Sequence, residues 1–252
     1  MKRLRPSEMV PYRYDVPLPT PWLWVSEGIT DYYADLVLTR GGVVDSAAFL
    51  DATTGKIATV GNTVPVALED ASLSTWIHPT DGTGYVYYPK GSLAGFVLDI
   101  LIRDASDNKR SLDDVMRELY RTTYKAGKGF MGADWWAAVK RAAGGKDFTA
   151  FNQRYIDGRE PYPWDSVLPL AGLKLVTDSI KLPRLGIESQ SDSTGSVVTT
   201  VQPDGAAAAA GLKVGDRILE LGDVKVTGEP AFQQFRERYA GKDGAPLPIK
   251  VL

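Results

Sequence analysis

Trp22-Leu23-Trp24-Val25-Ser26-Glu27-Gly28-Ile29-Thr30-Asp31-Tyr32-Tyr33 sets the character of the first half of the chain. Apolar residues at Trp22, Leu23, Val25, Ile29, Tyr32, Tyr33, Leu36 and Val37 recur near the helical period, and Gly41-Gly42 follows where a C-cap belongs. The spacing predicts a helix from Pro21 to that glycine pair. Within it stands one acid, Glu27, among aromatic and aliphatic neighbours. Burying an unpaired charge costs several kcal/mol, so Glu27 must meet a cation, a metal or a proton. Periodicity leaves open which of these it is.

Further helices are predicted on both sides of the same argument. Ser46 to about Val60, Val66 to Trp76, Lys90 to Ala105, Asp134 to Ala143 and Asp147 to Ile156 carry helical patterns, with Gly144-Gly145 as a tight turn between the last two. Ser111 caps another helix whose first turn holds Asp113 and Asp114, where the helix dipole favours negative charge. The residues before Thr20, rich in proline, read as an extended connector.

Beyond about Lys174 the periodicity changes to two. Leu185-Gly186-Ile187, Ser196 to Val201, Arg217 to Leu221, Val224 to Val226 and Leu247 to Leu252 read as strands, with Gly222-Asp223 as a hairpin turn. Pro230 to Tyr239 reads as a helix with proline in its first turn, and Ala206 to Ala210 as a short one stopped by Gly211.

Composition removes several chemistries. The 252 residues hold 29 Lys plus Arg against 31 Asp plus Glu, a net charge of -2, and no basic stripe, so nucleic acid is not an expected partner. There is no cysteine, hence no disulfide, thiolate nucleophile or cysteine-bound zinc, and the compartment stays open. The single histidine, His78, lies in Trp76-Ile77-His78-Pro79 and reads as a loop residue; alone it makes neither a histidine-rich metal site nor a triad. No run of about 18 apolar residues occurs, and no apolar stretch follows Met1-Lys2-Arg3, so neither a membrane span nor a signal peptide is expected.

The stretch from Leu23 to Tyr33 resembles the third-ligand helix of gluzincin zinc peptidases, specifically the glycyl aminopeptidase family whose members carry a C-terminal PDZ domain. In that family an upstream helix bears H-E-x-x-H, with two zinc-binding histidines and a glutamate base. The resemblance makes Glu27 the third zinc ligand. Tyr87-Tyr88-Pro89-Lys90-Gly91 is similar to the family's Y-x-K-G helix start, whose tyrosine donates to the oxyanion, which implies a catalytic Tyr88. Ser111 to Arg117 is also close to the family's pattern. Ala209-Ala210-Gly211-Leu212-Lys213-Val214-Gly215-Asp216-Arg217-Ile218 is similar to the A-G-L-x-x-G-D-x-I core of bacterial PDZ domains. That likeness implies a peptide groove with Leu185, Gly186 and Ile187 as its carboxylate-binding loop and Phe232 and Phe235 as groove or core residues.

The implied fold class is multidomain α plus β. A mainly helical C-terminal portion of a thermolysin-like peptidase spans 1–158, a linker 159–180, and a small β-rich PDZ domain 181–252, expected to lack its last strand and to expose an unpaired edge. The sequence contains no H-E-x-x-H, and Lys2-Arg3-Leu4-Arg5-Pro6 looks like the segment that follows it in the family. A lone carboxylate does not hold catalytic zinc, which takes three protein ligands. The expectation is therefore an inactive fragment with no zinc bound, cut from a zinc aminopeptidase that hydrolyses peptides with N-terminal glycine or another small residue. Expected partners are peptide substrates of the parent and peptide or protein C-termini at the PDZ groove. The alternative is a non-catalytic scaffold built on the PDZ module.

Overall fold

The computed structural model describes residues 3–177, 183–228, 230–242 and 244–252, and the chain divides into two compact units, Met1–Leu175 and Val176–Leu252. Among the described residues there are ten helices, α1 to α10, and five strands, β1 to β5, numbered in chain order.

In the first unit, the sequence between Pro21 and Gly41 is helical but not uniform. Trp24–Gly28 forms a single wide π turn, which continues into α1, Ile29–Arg40, ended by Gly41. A π turn shifts the helical register by one residue. Here Trp24, Val25 and Ile29 are all fully buried while Glu27 between them is half-exposed. The turn lies against α4, Tyr87–Ala105, the central helix, on which 13 of 19 residues are buried. Backbone meets backbone at this crossing: a Cβ on Gly28 would stand 2.5 Å from the Tyr87 carbonyl oxygen and 2.6 Å from the Gly91 Cα. Two glycines are therefore a steric requirement of the fold.

Helix α4 begins at Tyr87, three residues earlier than the pattern predicts, because Pro89 falls in the first turn, where its missing N–H has no partner to lose. Around it pack α1, α2 (Ser46–Gly61), α3 (Leu68–Ser74) and α5 (Leu112–Thr122). The Asp99 carboxylate on α4 ties three elements together. It accepts from the Tyr32 hydroxyl at 3.0 Å, the Arg103 Nε at 3.1 Å and the Leu112 N–H at 2.7 Å. The Ser111 cap forms as read, with its Oγ accepting from the Asp113 N–H and its own N–H donating to Asp114.

Helices α6 (Gly132–Ala142) and α7 (Thr149–Phe151), the latter running into a second π turn at Asn152–Ile156, complete the bundle with α8 (Trp164–Val167) and the 3-10 turn Leu168–Ala171. The segment expected as a linker from 159 thus carries helix, and Tyr162, Val167 and Leu168 are buried in the same core as Trp24. Its aromatic and branched side chains extend the first unit to Leu175. Residues 178–182, where the expected linker meets the expected start of the second domain, lie outside the described residues.

The second unit is a small antiparallel sheet. β1 (Ile187–Asp192) pairs with β2 (Gly195–Val201), β2 with β3 (Arg217–Leu221), and β3 with β4 (Val224–Lys225) and β5 (Ile249–Val251). α9 (Ala206–Ala209) and α10 (Pro230–Tyr239) accompany it. Leu185 and Gly186 stand outside the strand predicted for them. Gly186 has φ +75°, a left-handed conformation outside the extended region of regular strands, so β1 starts at Ile187, two residues later than predicted. The core is small: Val198, Ile218, Leu221, Val224, Val226, Ala231 and Phe235.

Candidate functional site

Glu27 and Tyr88, remote in sequence, meet in the first unit. The π turn presents the Glu27 carboxylate, the first turn of α4 presents Tyr88, and the Tyr88 hydroxyl donates to Glu27 Oε2 at 3.0 Å. Burial first, and the facing carboxylate second, push the Tyr88 phenol well above its ordinary pKa. At neutral pH it is thus a proton donor. The Tyr87 ring lies 4.8 Å from that of Tyr88.

Glu27 lines a cavity of about 710 Å³ whose walls are largely aromatic: Tyr12, Tyr14, Trp76, Tyr85 and Tyr87. Tyr88 does not line it and joins the site through Glu27. Arg5 is the cavity's lone guanidinium, 4.5 Å over the Tyr12 ring, and its segment is held where Phe130 N–H donates to the Arg5 carbonyl at 2.9 Å. His78, which the sequence presents only as a loop residue, also lines the cavity. It follows the 3-10 turn Thr75–Ile77 at φ 50° and ψ 63°, a left-handed conformation uncommon for a residue with a side chain. Tyr12, Tyr14, Trp76, Tyr85 and Tyr87 were the missed members. Trp76 ends the helix predicted from Val66, and Tyr12, Tyr14, Tyr85 and Tyr87 offer only aromatic density outside the predicted helices.

Catalytic zinc takes three protein ligands. Among the described residues no group of three His, Cys, Asp or Glu is assembled, and Glu27 brings one carboxylate with a tyrosine beside it. These residues by themselves do not make a zinc site.

In the second unit, Leu185, Gly186, Ile187, Phe232 and Phe235 line a separate cavity of about 430 Å³ between β1 and α10. Phe235 doubles as core, 1% exposed, while Phe232 is half-buried at the groove. Arg184 and Arg236, not singled out in the sequence, line it as well.

Comparison with known proteins finds two matching regions. Residues 1–94, which hold Glu27 and Tyr88, match the family model M61 glycyl aminopeptidase, and residues 175–237 match the PDZ domain. A crystal structure of an aminopeptidase N family protein from Idiomarina loihiensis is similar in fold, with a TM-score of 0.66 at 22% identity, over 99% of this chain and 46% of that one. The chain spans about half the length of that protein. Among curated proteins no match is found. The chain is thus similar to the M61 glycyl aminopeptidase family over residues 1–94 and to PDZ domains over residues 175–237.

Proposed function

We propose that this chain is the C-terminal part of a zinc aminopeptidase acting on peptides with an N-terminal glycine or other small residue. In this reading Glu27 is one zinc ligand, two imidazoles from residues outside the present sequence are the others, and Tyr88 is the oxyanion donor. The observation that carries it is the hydrogen bond from Tyr88 to Glu27, with Glu27 at the wall of a large cavity. Bound zinc would supply Lewis-acid polarisation of the scissile carbonyl. The chain's own part is to keep a protonated phenol beside that position. Burial and the Glu27 charge hold the proton on Tyr88, and in this reading the donor turns from the carboxylate to a developing oxyanion, where such donors are most effective. The groove of the second unit would receive a peptide C-terminus as an added strand.

The test compares two proteins. The 252-residue chain is expected to bind substoichiometric zinc and to leave glycyl p-nitroanilide intact. The product of the full reading frame is expected to bind one zinc and cleave it, with Tyr88→Phe lowering kcat about a hundredfold at unchanged zinc content. Tight one-to-one zinc and turnover by the 252-residue chain, or a full reading frame encoding no histidine pair, overturns the reading.

A further inference from the structure

The four arginines of the second unit fall into two pairs. Arg217 faces Asp192 and Arg238 faces Asp223, each within ion-pair distance. Arg184 and Arg236 have no carboxylate partner among the described residues, and both line the groove between β1 and α10. No aspartate or glutamate is among the described residues that line it. A concave site with two guanidinium groups that face no carboxylate among the described residues is electrostatically complementary to a negative ligand.

The backbone says what form that ligand takes. β1 is the outermost strand of the order β1-β2-β3-β4, so one of its edges offers unpaired N–H and C=O groups. The loop before it is turned one way: Gln202 N–H donates to the Gly186 carbonyl at 2.8 Å and Ala207 N–H to the Leu185 carbonyl at 2.9 Å. The N–H groups of Leu185 and Gly186 donate to no backbone acceptor among the described residues. Gly186 is held to glycine both by its φ and by contact, since a Cβ there would lie 2.8 Å from the Gly205 Cα. An extended peptide with a free carboxylate fits this loop, and its last side chain fits the apolar wall of Ile187, Phe232 and Phe235. Arg236, one turn after Phe232, lies on the same face of α10, so the cation stands beside the apolar wall.

We propose that this groove selects protein C-termini that carry acidic residues just before an apolar final residue, with Arg184 and Arg236 as the specificity-determining side chains. This rests on the peptide-binding reading of the second unit and adds a charge preference to it.

The test uses the full chain and dye-labelled octapeptides ending in a free valine, with glutamate, serine or lysine at both the second and third residues from the end. Fluorescence anisotropy at low salt is expected to give about tenfold tighter binding for glutamate than for serine, weakest binding for lysine, and a convergence of the three as salt rises. The double substitution Arg184→Glu and Arg236→Glu should reverse the order, and tight lysine-peptide binding shows that variant to be folded. Equal affinities of the glutamate and serine peptides at low salt, with binding still dependent on a free carboxylate, overturn the charge preference and leave the peptide-binding reading standing. Failure of all three peptides to bind the unsubstituted chain overturns both.

Discussion

The two units solve the same problem with different resources. The helical unit buries Trp24, Trp135, Phe130 and a long series of aliphatic residues, and ties them with an acid, Asp99, that satisfies three donors. The β unit gathers seven buried apolar residues in its core, among those described, and closes its loops with backbone hydrogen bonds and glycines. A small core leaves little margin, because the fraction of surface buried on folding rises with size. The helical unit has apolar surface to spare and is vulnerable where backbone touches backbone or where a charge is buried. The β unit is vulnerable almost everywhere in its core and least at its surface. All six tryptophans, Trp22, Trp24, Trp76, Trp135, Trp136 and Trp164, belong to the helical unit, so their fluorescence follows that unit alone.

The largest effect is expected at the glycine crossing. Gly28→Ala puts a methyl group against the Tyr87 carbonyl and the Gly91 Cα, neither of which is a movable side-chain end. The helical unit should lose about 4 kcal/mol in denaturant titration read by tryptophan fluorescence, more than the roughly 1–3 kcal/mol usual for overpacking, because the clash is with backbone. Hydrogen exchange of the β strands should be unchanged. A loss below about 1 kcal/mol would show that the crossing opens more easily than a packed backbone contact can.

Lys90 gives the next effect. Its ammonium is buried, donates to the Val66 carbonyl at 2.5 Å and has no carboxylate partner among the described residues, and burial lowers its pKa from 10.5 to about 8. Between those values the unfolded chain holds a proton that the folded chain has shed, so the helical unit gains stability as pH rises through this window. Below pH 8 the penalty for burying the charge is present in full, on the order of 3 kcal/mol. Lys90→Met removes the charge, so its stability curve should lack the rise that the unsubstituted chain shows from pH 8 to pH 10. Parallel curves would mean that the amine is charged and solvated in the folded state.

What the sequence made legible divides along the same line. Elements ended by a local device were readable: the Ser111 cap, Gly41 after α1, the proline that opens α10, and the strand Arg217–Leu221 beside its Gly222-Asp223 turn. Features created by distant partners were not. The π turn at Trp24–Gly28 exists against Gly91 of another helix, and apolar spacing near it reads as ordinary helix. The left-handed Gly186 is fixed by Gly205, and His78 reaches the Glu27 cavity only because its loop folds back there. Glu27 was legible as an acid out of place. Its partner Tyr88 came from the family's Y-x-K-G pattern, since charge and periodicity alone make Tyr88 a packed aromatic.

The smallest effect tests the surface of the β unit. Arg217 Nη1 donates to both oxygens of Asp192, at 2.8 and 2.7 Å, and to Thr194 Oγ1 at 2.8 Å, pinning the β1–β2 turn to the start of β3. Arg217 first, and Thr194 second, hold the Asp192 carboxyl well below the usual carboxylate range. By distance this is as well made as the Asp99 cluster, but Asp192 faces water and Asp99 does not. Water screens the pair and solvates both ends when it breaks, so its net worth is small. Because the folded pKa is the lower one, any contribution is present above the ordinary aspartate value near 3.8 and is lost as pH falls through the folded value. Asp192→Asn should therefore leave exchange protection of β2 and β3 unchanged within error at pH 7. If instead it removes protection across those strands, the turn is a keystone of the small unit, and the contrast between a buried tie in one unit and solvated ties in the other fails.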